Sequence, residues 1–342
     1  MITGELSNNG GRNGKTSRPN LGDPLASFSM NFFGFDRMTH DSILLQERYM
    51  VQTATSLDVK QLRNDIYQNG IASLPNILSV QWADELDEDV NLQFIRALTI
   101  DHGAGVAFRG WSRYYIELYP ERLRGFLALV ANPAIVGLSR EMLGENYEIV
   151  ELGADIPLPG APDQPPHRDF PMPEPTRRYG RLTSLAFNAS TVDVTPEMGP
   201  FNIAPGTHLD EGADFVQGMF PVGAAKEAYN TRMEPRLAKR GSVSARSGLT
   251  LHKGTKNNGR IRPVIILGVV SPEDRAHSAT TVDRPSDYIA PTLKMSQAFY
   301  DSLDDALKQR LSCEIVADTT ANLPPLKTPH SIEGLIMGNA PM

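Results

Sequence analysis

The tightest constraint on how this chain folds is the relation between His167 and Asp169, two residues apart, and His252, which lies 83 positions after Asp169. Two neutral imidazoles and one carboxylate make up the ligand set of a mononuclear non-haem iron site, covering one face of Fe(II) and leaving the other open. On a strand, residues two apart point to the same face. The His167 ring and the Asp169 carboxylate can then converge on one ion while Arg168 points elsewhere. The third ligand has to arrive from a sequence-distant strand, and the separation leaves room for several strands to cross a barrel and return. An isolated His-x-Asp is more often a surface ion pair or a loop hydrogen bond, so the flanking sequence decides its meaning. His208 competes for the third position. It lies only 39 positions after Asp169, directly behind the turn Pro205-Gly206, and is expected to be a turn or wall residue. By ligand type alone, zinc suits two histidines and an aspartate equally well.

Patterning around these residues points to a mostly β fold with flanking helices. Ser56 is a candidate cap for a helix running through Tyr67, with Val59, Leu62 and Ile66 at helical spacing and Gly70 as its stop. Ile71–Leu74 reads as a short strand, and Trp82–Leu98 as a second helix with Leu86, Val90, Phe94 and Leu98 on one face. Residues 121–143 supply one or two more helices, with a break at Pro133. Short strands follow at 147–152, 181–189, 201–204, 243–252 (a bent pair) and 261–270. Strands of this length between Pro- and Gly-rich turns favour a jelly roll. The expected organisation is a loosely packed extension over 1–30, one domain over 31–288 with its β core mainly at 145–275, and a peripheral helix and tail over 289–342. Residues 206–240, with a helix near 223–239, read as an insertion beside the site mouth.

The remaining bulk properties mainly exclude. A formal charge of -7 offers no general attraction to nucleic acid or an anionic membrane surface. No apolar run approaches the roughly 20 residues that cross a bilayer. The start Met-Ile-Thr-Gly-Glu-Leu has no basic segment leading into an apolar one, and Cys313 is the lone cysteine. A cytoplasmic setting and a small-molecule partner are therefore expected, with neither nucleic acid nor membrane involved.

Several polar residues stand where a cavity would be. Arg262 opens the strongest apolar strand ten positions after His252, and a guanidinium there can pair bidentately with a dicarboxylate whose other end chelates the metal. Arg260 shares its strand face, and periodicity does not choose between the two. Ser184, Ala186, Asn188 and Ser190 alternate with Leu185, Phe187 and Ala189, so one side is small and polar; Asn188 is the first candidate for a co-substrate or substrate contact. Phe170 is a candidate substrate wall and Arg246 a candidate partner for a substrate acid. Arg109 and Trp111, in a stretch that also holds Tyr114 and Tyr115, are candidates on a covering segment. For each of these, core packing or an ordinary ion pair is the competing explanation.

Taken together, His167-Arg168-Asp169, Gly199-Pro200-Phe201-Asn202-Ile203-Ala204-Pro205-Gly206-Thr207-His208, Leu251-His252-Lys253-Gly254 and Arg262 resemble the phytanoyl-CoA dioxygenase-like family of Fe(II)/2-oxoglutarate-dependent oxygenases. The upstream stretch Asn69 to Leu78 is similar to that family's opening strand and turn, and the resemblance covers about residues 55–275. It implies a double-stranded β-helix, a cupin-like jelly roll, with His167, Asp169 and His252 as metal ligands and catalytic centre. It also implies that Arg262, rather than Arg260, holds the distal carboxylate of 2-oxoglutarate. Fe(II) would be the cofactor and 2-oxoglutarate and O₂ the co-substrates, with succinate and CO₂ released as a small molecule, expected to be a secondary metabolite, is hydroxylated or otherwise oxidised. Asp169 argues against halogenation, because related halogenases carry a small residue there. Two other readings compete: a zinc-dependent hydrolase or isomerase on a cupin-like barrel, and a noncatalytic metal-stabilised binding protein.

Overall fold

The computed structural model describes residues 57–99, 106–212, 214–272 and 293–316. The expected extension over 1–30, the cap Ser56 and most of the C-terminal tail lie outside the described residues. The first helix, α1 (Val59–Asn69), is capped by Asp58 instead, whose carboxylate accepts from the amides of Lys60 (2.9 Å) and Gln61 (3.1 Å). Gly70 ends it in the left-handed region, at φ 78°, as the sequence predicts. Then come β1 (Ile71–Leu74), α2 (Val80–Thr99), β2 (Val106–Phe108), β3 (Arg113–Glu117), α3 (Phe126–Val130), α4 (Pro133–Leu143) and β4 (Glu148–Pro157). Pro133 does break the predicted helical stretch, by opening α4 at its first position, where a missing N–H costs nothing.

The second half holds α5 (Glu174–Tyr179), β5 (Ser184–Ser190), β6 (Phe201–Ile203), β7 (Phe215–Val216), β8 (Phe220–Pro221), α6 (Gly223–Asn230), β9 (Glu234–Arg236), β10 (Val243–Arg246), β11 (His252–Gly254) and β12 (Val264–Val270). The C-terminal segment supplies β13 (Lys294–Ser296), α7 (Gln297–Ser302), α8 (Asp305–Lys308) and β14 (Glu314–Val316). A seven-stranded antiparallel sheet runs β1-β10-β5-β12-β4-β3-β2, and a three-stranded one runs β11-β6-β9. The fold is mixed α/β with several antiparallel sheets, more helical than the expected mostly β architecture. Among the described residues the two sheets do not close into one hydrogen-bonded barrel.

Parity divides the large sheet. Leu152, Ala154 and Ile156 of β4, Leu185, Phe187 and Ala189 of β5, Val243 and Ala245 of β10, and Ile265, Leu267 and Val269 of β12 enter one apolar core with helix residues such as Ile66, Trp82, Leu86, Val90 and Ile135. The alternate residues face the small sheet. The approach there is close: a Cβ on Gly254 of β11 would lie 2.5 Å from the Arg113 guanidinium of β3, so a side chain at that crossing would have to displace the guanidinium.

Several boundaries differ from expectation, each for a local reason. The β core begins before residue 145, because β1 to β3 form both flanks of the large sheet. The helix expected near 223–239 stops at Asn230, and Pro235 instead sits in the edge strand β9, paired with Asn202. Part of the supposed insertion thus completes the small sheet. The helix expected within 289–342 is, over the described residues, a strand and two short helices. Leu293, Met295, Leu303 and Leu307 join the core, and Lys294 pairs with Glu117 at 2.9 Å, so the described part of this segment is docked rather than peripheral.

Candidate metal centre

The chain brings His167, Asp169 and His252 together, with one donor atom from each lying within 4.8 Å of the others. The means differ in part from the expected strand. His167 and His252 exchange backbone hydrogen bonds (2.9 and 3.0 Å) in a single isolated bridge, and Asp169 sits beyond it in a bend, tied by its N–H to the Gly248 carbonyl at 2.9 Å. Arg168 does point elsewhere. It is buried, donates to the carbonyls of Thr207 and Asp210, and stacks on Phe215 at 4.7 Å. The residue between the two candidate ligands therefore clamps the chain that follows β6.

Both imidazoles are oriented from behind. The His167 Nδ1 lies 2.9 Å from the Pro165 carbonyl and the His252 Nδ1 lies 2.9 Å from the Thr250 carbonyl. A carbonyl only accepts, so each Nδ1 carries the proton and each Nε2 keeps its lone pair. The His252 Nε2 is 3.3 Å from the Asp169 Oδ1. Burial lowers the His167 pKa to about 3, so that ring is neutral at ordinary pH. Desolvation would raise the Asp169 carboxyl, but the Arg246 charge beside it prevails and holds it well below the usual carboxylate range. Two bare nitrogen lone pairs and a carboxylate oxygen crowded together repel one another unless a cation sits between them. The donor set therefore fits a divalent metal of the Fe(II) or Zn(II) type. His208 takes no part; it is buried in the turn Thr207–Leu209, outside this cluster.

The inner face of the large sheet surrounds the centre with charge. One row across it runs Arg246–Ala186–Gly268–Glu151. Arg246 Nη1 meets the Asp169 Oδ2 at 2.6 Å. Glu151 Oε1 accepts from the Tyr115 hydroxyl at 2.7 Å, and burial raises the Glu151 carboxyl above its ordinary value. Arg109 stacks on the Tyr115 ring at 5.1 Å, and with the exposed Trp111 it lines a recess bounded by Gln164 and Pro165. The Asn188 Oδ1 is buried on the same face and accepts no hydrogen bond. Phe170 packs against the hydrophobic core.

Arg262 is 3% exposed and donates its Nε to the Met198 carbonyl at 3.2 Å. Burial lowers its pKa to about 10 against the opposing pull of Asp155, but Asp155 is already paired with Arg113 at 2.9 Å. Two buried guanidiniums thus share one carboxylate, leaving an uncompensated positive charge. Glu151, Asp155 and Arg113 were not singled out from sequence. The signal was present in β4, where Glu151, Gly153 and Asp155 alternate with Leu152, Ala154 and Ile156, so charges fall on the face opposite the core.

Residues 67–263 match the family model of phytanoyl-CoA dioxygenase (PhyH), a span of more than half the chain that contains the whole cluster and Arg262. The chain belongs to the phytanoyl-CoA dioxygenase family. Family membership and the cluster of two histidines and an aspartate together make it a non-haem Fe(II)/2-oxoglutarate-dependent oxygenase, and neither the zinc hydrolase nor the noncatalytic reading gains support. Among curated proteins none matches this chain. Among solved structures, AviO1 from Streptomyces viridochromogenes is similar over 65% of this chain and 98% of its own, at 16% identity and a TM-score of 0.47. No helix among the described residues is long and apolar enough to cross a membrane.

Proposed function

We propose that His167, Asp169 and His252 hold Fe(II), that Arg262 binds the distal carboxylate of 2-oxoglutarate, and that a polar small molecule of the secondary-metabolite class is oxidised in the chamber between the two sheets. The observation that carries the co-substrate assignment is the excess positive charge at Arg262, Arg113 and Asp155, which one carboxylate would neutralise. The bound metal and 2-oxoglutarate would supply the oxidising power; the protein's residues orient, neutralise and exclude water. Arg262 fixes one end of the co-substrate, the bare Nε2 atoms and Asp169 fix the metal, and the closely packed crossing at Gly254 limits solvent from the side of the small sheet. Asn188 and Glu151 face the same space with an oxygen each to offer a hydrogen-bond donor, and Arg109 and Trp111 border its recess. The two stacked sheets are read as an open double-stranded β-helix within a single oxygenase domain.

The test is succinate release. Purified protein with Fe(II) and 2-oxoglutarate should form succinate only when O₂ is present, and faster with a cognate substrate. Folded, iron-loaded protein that never forms succinate, or turnover that proceeds with zinc under strict anaerobiosis, would reject the reading.

A further inference from the structure

The two oxygens of Asp169 are held in different ways. Oδ1 faces the His252 Nε2 at 3.3 Å. Oδ2 is engaged instead by Arg246 Nη1 at 2.6 Å, a short charge-assisted bond. Arg246 is 5% exposed, and its Nε is buried without a hydrogen-bond partner. Its guanidinium carbon lies 5.5 Å from the Phe201 ring, which is itself 5.2 Å from the His252 ring. Its strand position is fixed on both sides, by Ile71 of β1 and Ala186 of β5. From sequence, Arg246 was a candidate partner for a substrate acid, with a structural ion pair as the equal alternative. In the structure its charge is already committed to Asp169.

We propose that Arg246 is a positioning residue that restrains Asp169 to single-oxygen coordination by occupying Oδ2. This deepens the site assignment above and rests on it. The physical reason lies in the coordination count. A facial set of three protein donors leaves three positions, which a chelating 2-oxoglutarate and O₂ would fill. If both Asp169 oxygens bound the metal, one of those positions would be lost. An oxygen held at 2.6 Å by a buried cation cannot swing toward the metal without leaving that cation unpaired. The backbone bond from Asp169 N–H to the Gly248 carbonyl holds the residue at its other end.

The experiment uses Co(II) as the probe, on full-length protein, with Arg246→Gln and Arg246→Lys. Arg246→Gln should weaken Co(II) binding by about 10- to 100-fold, the usual penalty for removing the partner of a metal ligand, and should change the Co(II) visible absorption. Arg246→Lys should recover most of the affinity and the wild-type spectrum. The affinity for 2-oxoglutarate, measured on Co(II)-saturated protein, should stay that of the wild type in both. A second measurement needs no variant: the Co(II)-induced infrared difference spectrum of wild-type protein with isotope-labelled aspartate should show the wide carboxylate splitting of one-oxygen coordination. Wild-type Co(II) affinity and spectrum in Arg246→Gln, a loss confined to 2-oxoglutarate binding, or the narrow splitting of two-oxygen coordination would each overturn the inference while leaving the metal site standing. Wild-type protein that fails to bind Co(II) would instead remove the site assignment itself.

Discussion

The two faces of the seven-stranded sheet are built from the same strands and have almost nothing in common. One carries Leu152, Phe187, Ile265 and Leu267 into the helices; the other carries Glu151, Asn188, Arg246 and, just before β12, Arg262 toward the metal centre. The period of two lets adjacent residues do unrelated work, so stability and chemistry are separated by single-residue steps. The comparison teaches that a conservative change on one face should be read in melting temperature, and on the other in ligand affinity.

The strongest test of this division is removal of an inner-face ligand. His252→Ala should lower iron affinity by more than the about 100-fold that loss of a ligand's supporting partner costs, and should abolish succinate formation, while the fold persists by circular dichroism. On the apolar face, Leu267→Ala should cost about 2–5 kcal/mol in denaturant unfolding, and the fraction that stays folded should bind Fe(II) and 2-oxoglutarate normally. A core variant that lost metal affinity without losing stability would break the division. Arg262→Gln should weaken 2-oxoglutarate binding by roughly 10- to 100-fold, equivalent to about 1.4–2.8 kcal/mol, with metal affinity preserved. Titration of the two components in turn separates the effects.

The last expected effect is a pH slope in the metal-free protein. His167 stays neutral in the folded chain down to about pH 3, whereas the unfolded chain takes up a proton near 6.5. Acidification below 6.5 therefore favours the unfolded state, by up to about 1.4 kcal/mol per pH unit from this residue. Asp169 acts in a lower window. Its folded pKa is depressed, so its contribution is intact above its unfolded value of 3.8 and is lost only below that. Between pH 6.5 and 4, the apo protein should lose stability, and His167→Ala should flatten the slope. An unchanged slope in that variant would assign the effect to other groups.

How much of this was legible in sequence depended on range. The stop at Gly70 and the alternation in β5 follow from residue type and short-range period, and the structure places both as expected; it also brings His167, Asp169 and His252 together, although Asp169 lies in a bend rather than on the expected strand. Cap choice turned on two residues, and Asp58 in place of Ser56 shows how little local pattern separates neighbouring polar candidates. Pro235 was a readable warning against a helix reaching 239, yet its pairing with Asn202 depends on a strand more than thirty positions away. The charges of β4 were visible by period but not their partners. That Glu151 meets Tyr115, Asp155 meets Arg113 and Arg246 meets Asp169 is set by strand order, which a single sequence does not display.

The central claim is that one chamber holds Fe(II) on three named side chains and 2-oxoglutarate on a fourth. Its most direct test is an anaerobic titration of metal-free protein with Fe(II) and then 2-oxoglutarate, followed in the visible spectrum. The account predicts a weak charge-transfer band that saturates at one 2-oxoglutarate per iron, is missing in His252→Ala, and needs far more 2-oxoglutarate in Arg262→Gln. Folded wild-type protein that binds iron and shows no such band at saturating 2-oxoglutarate would contradict it.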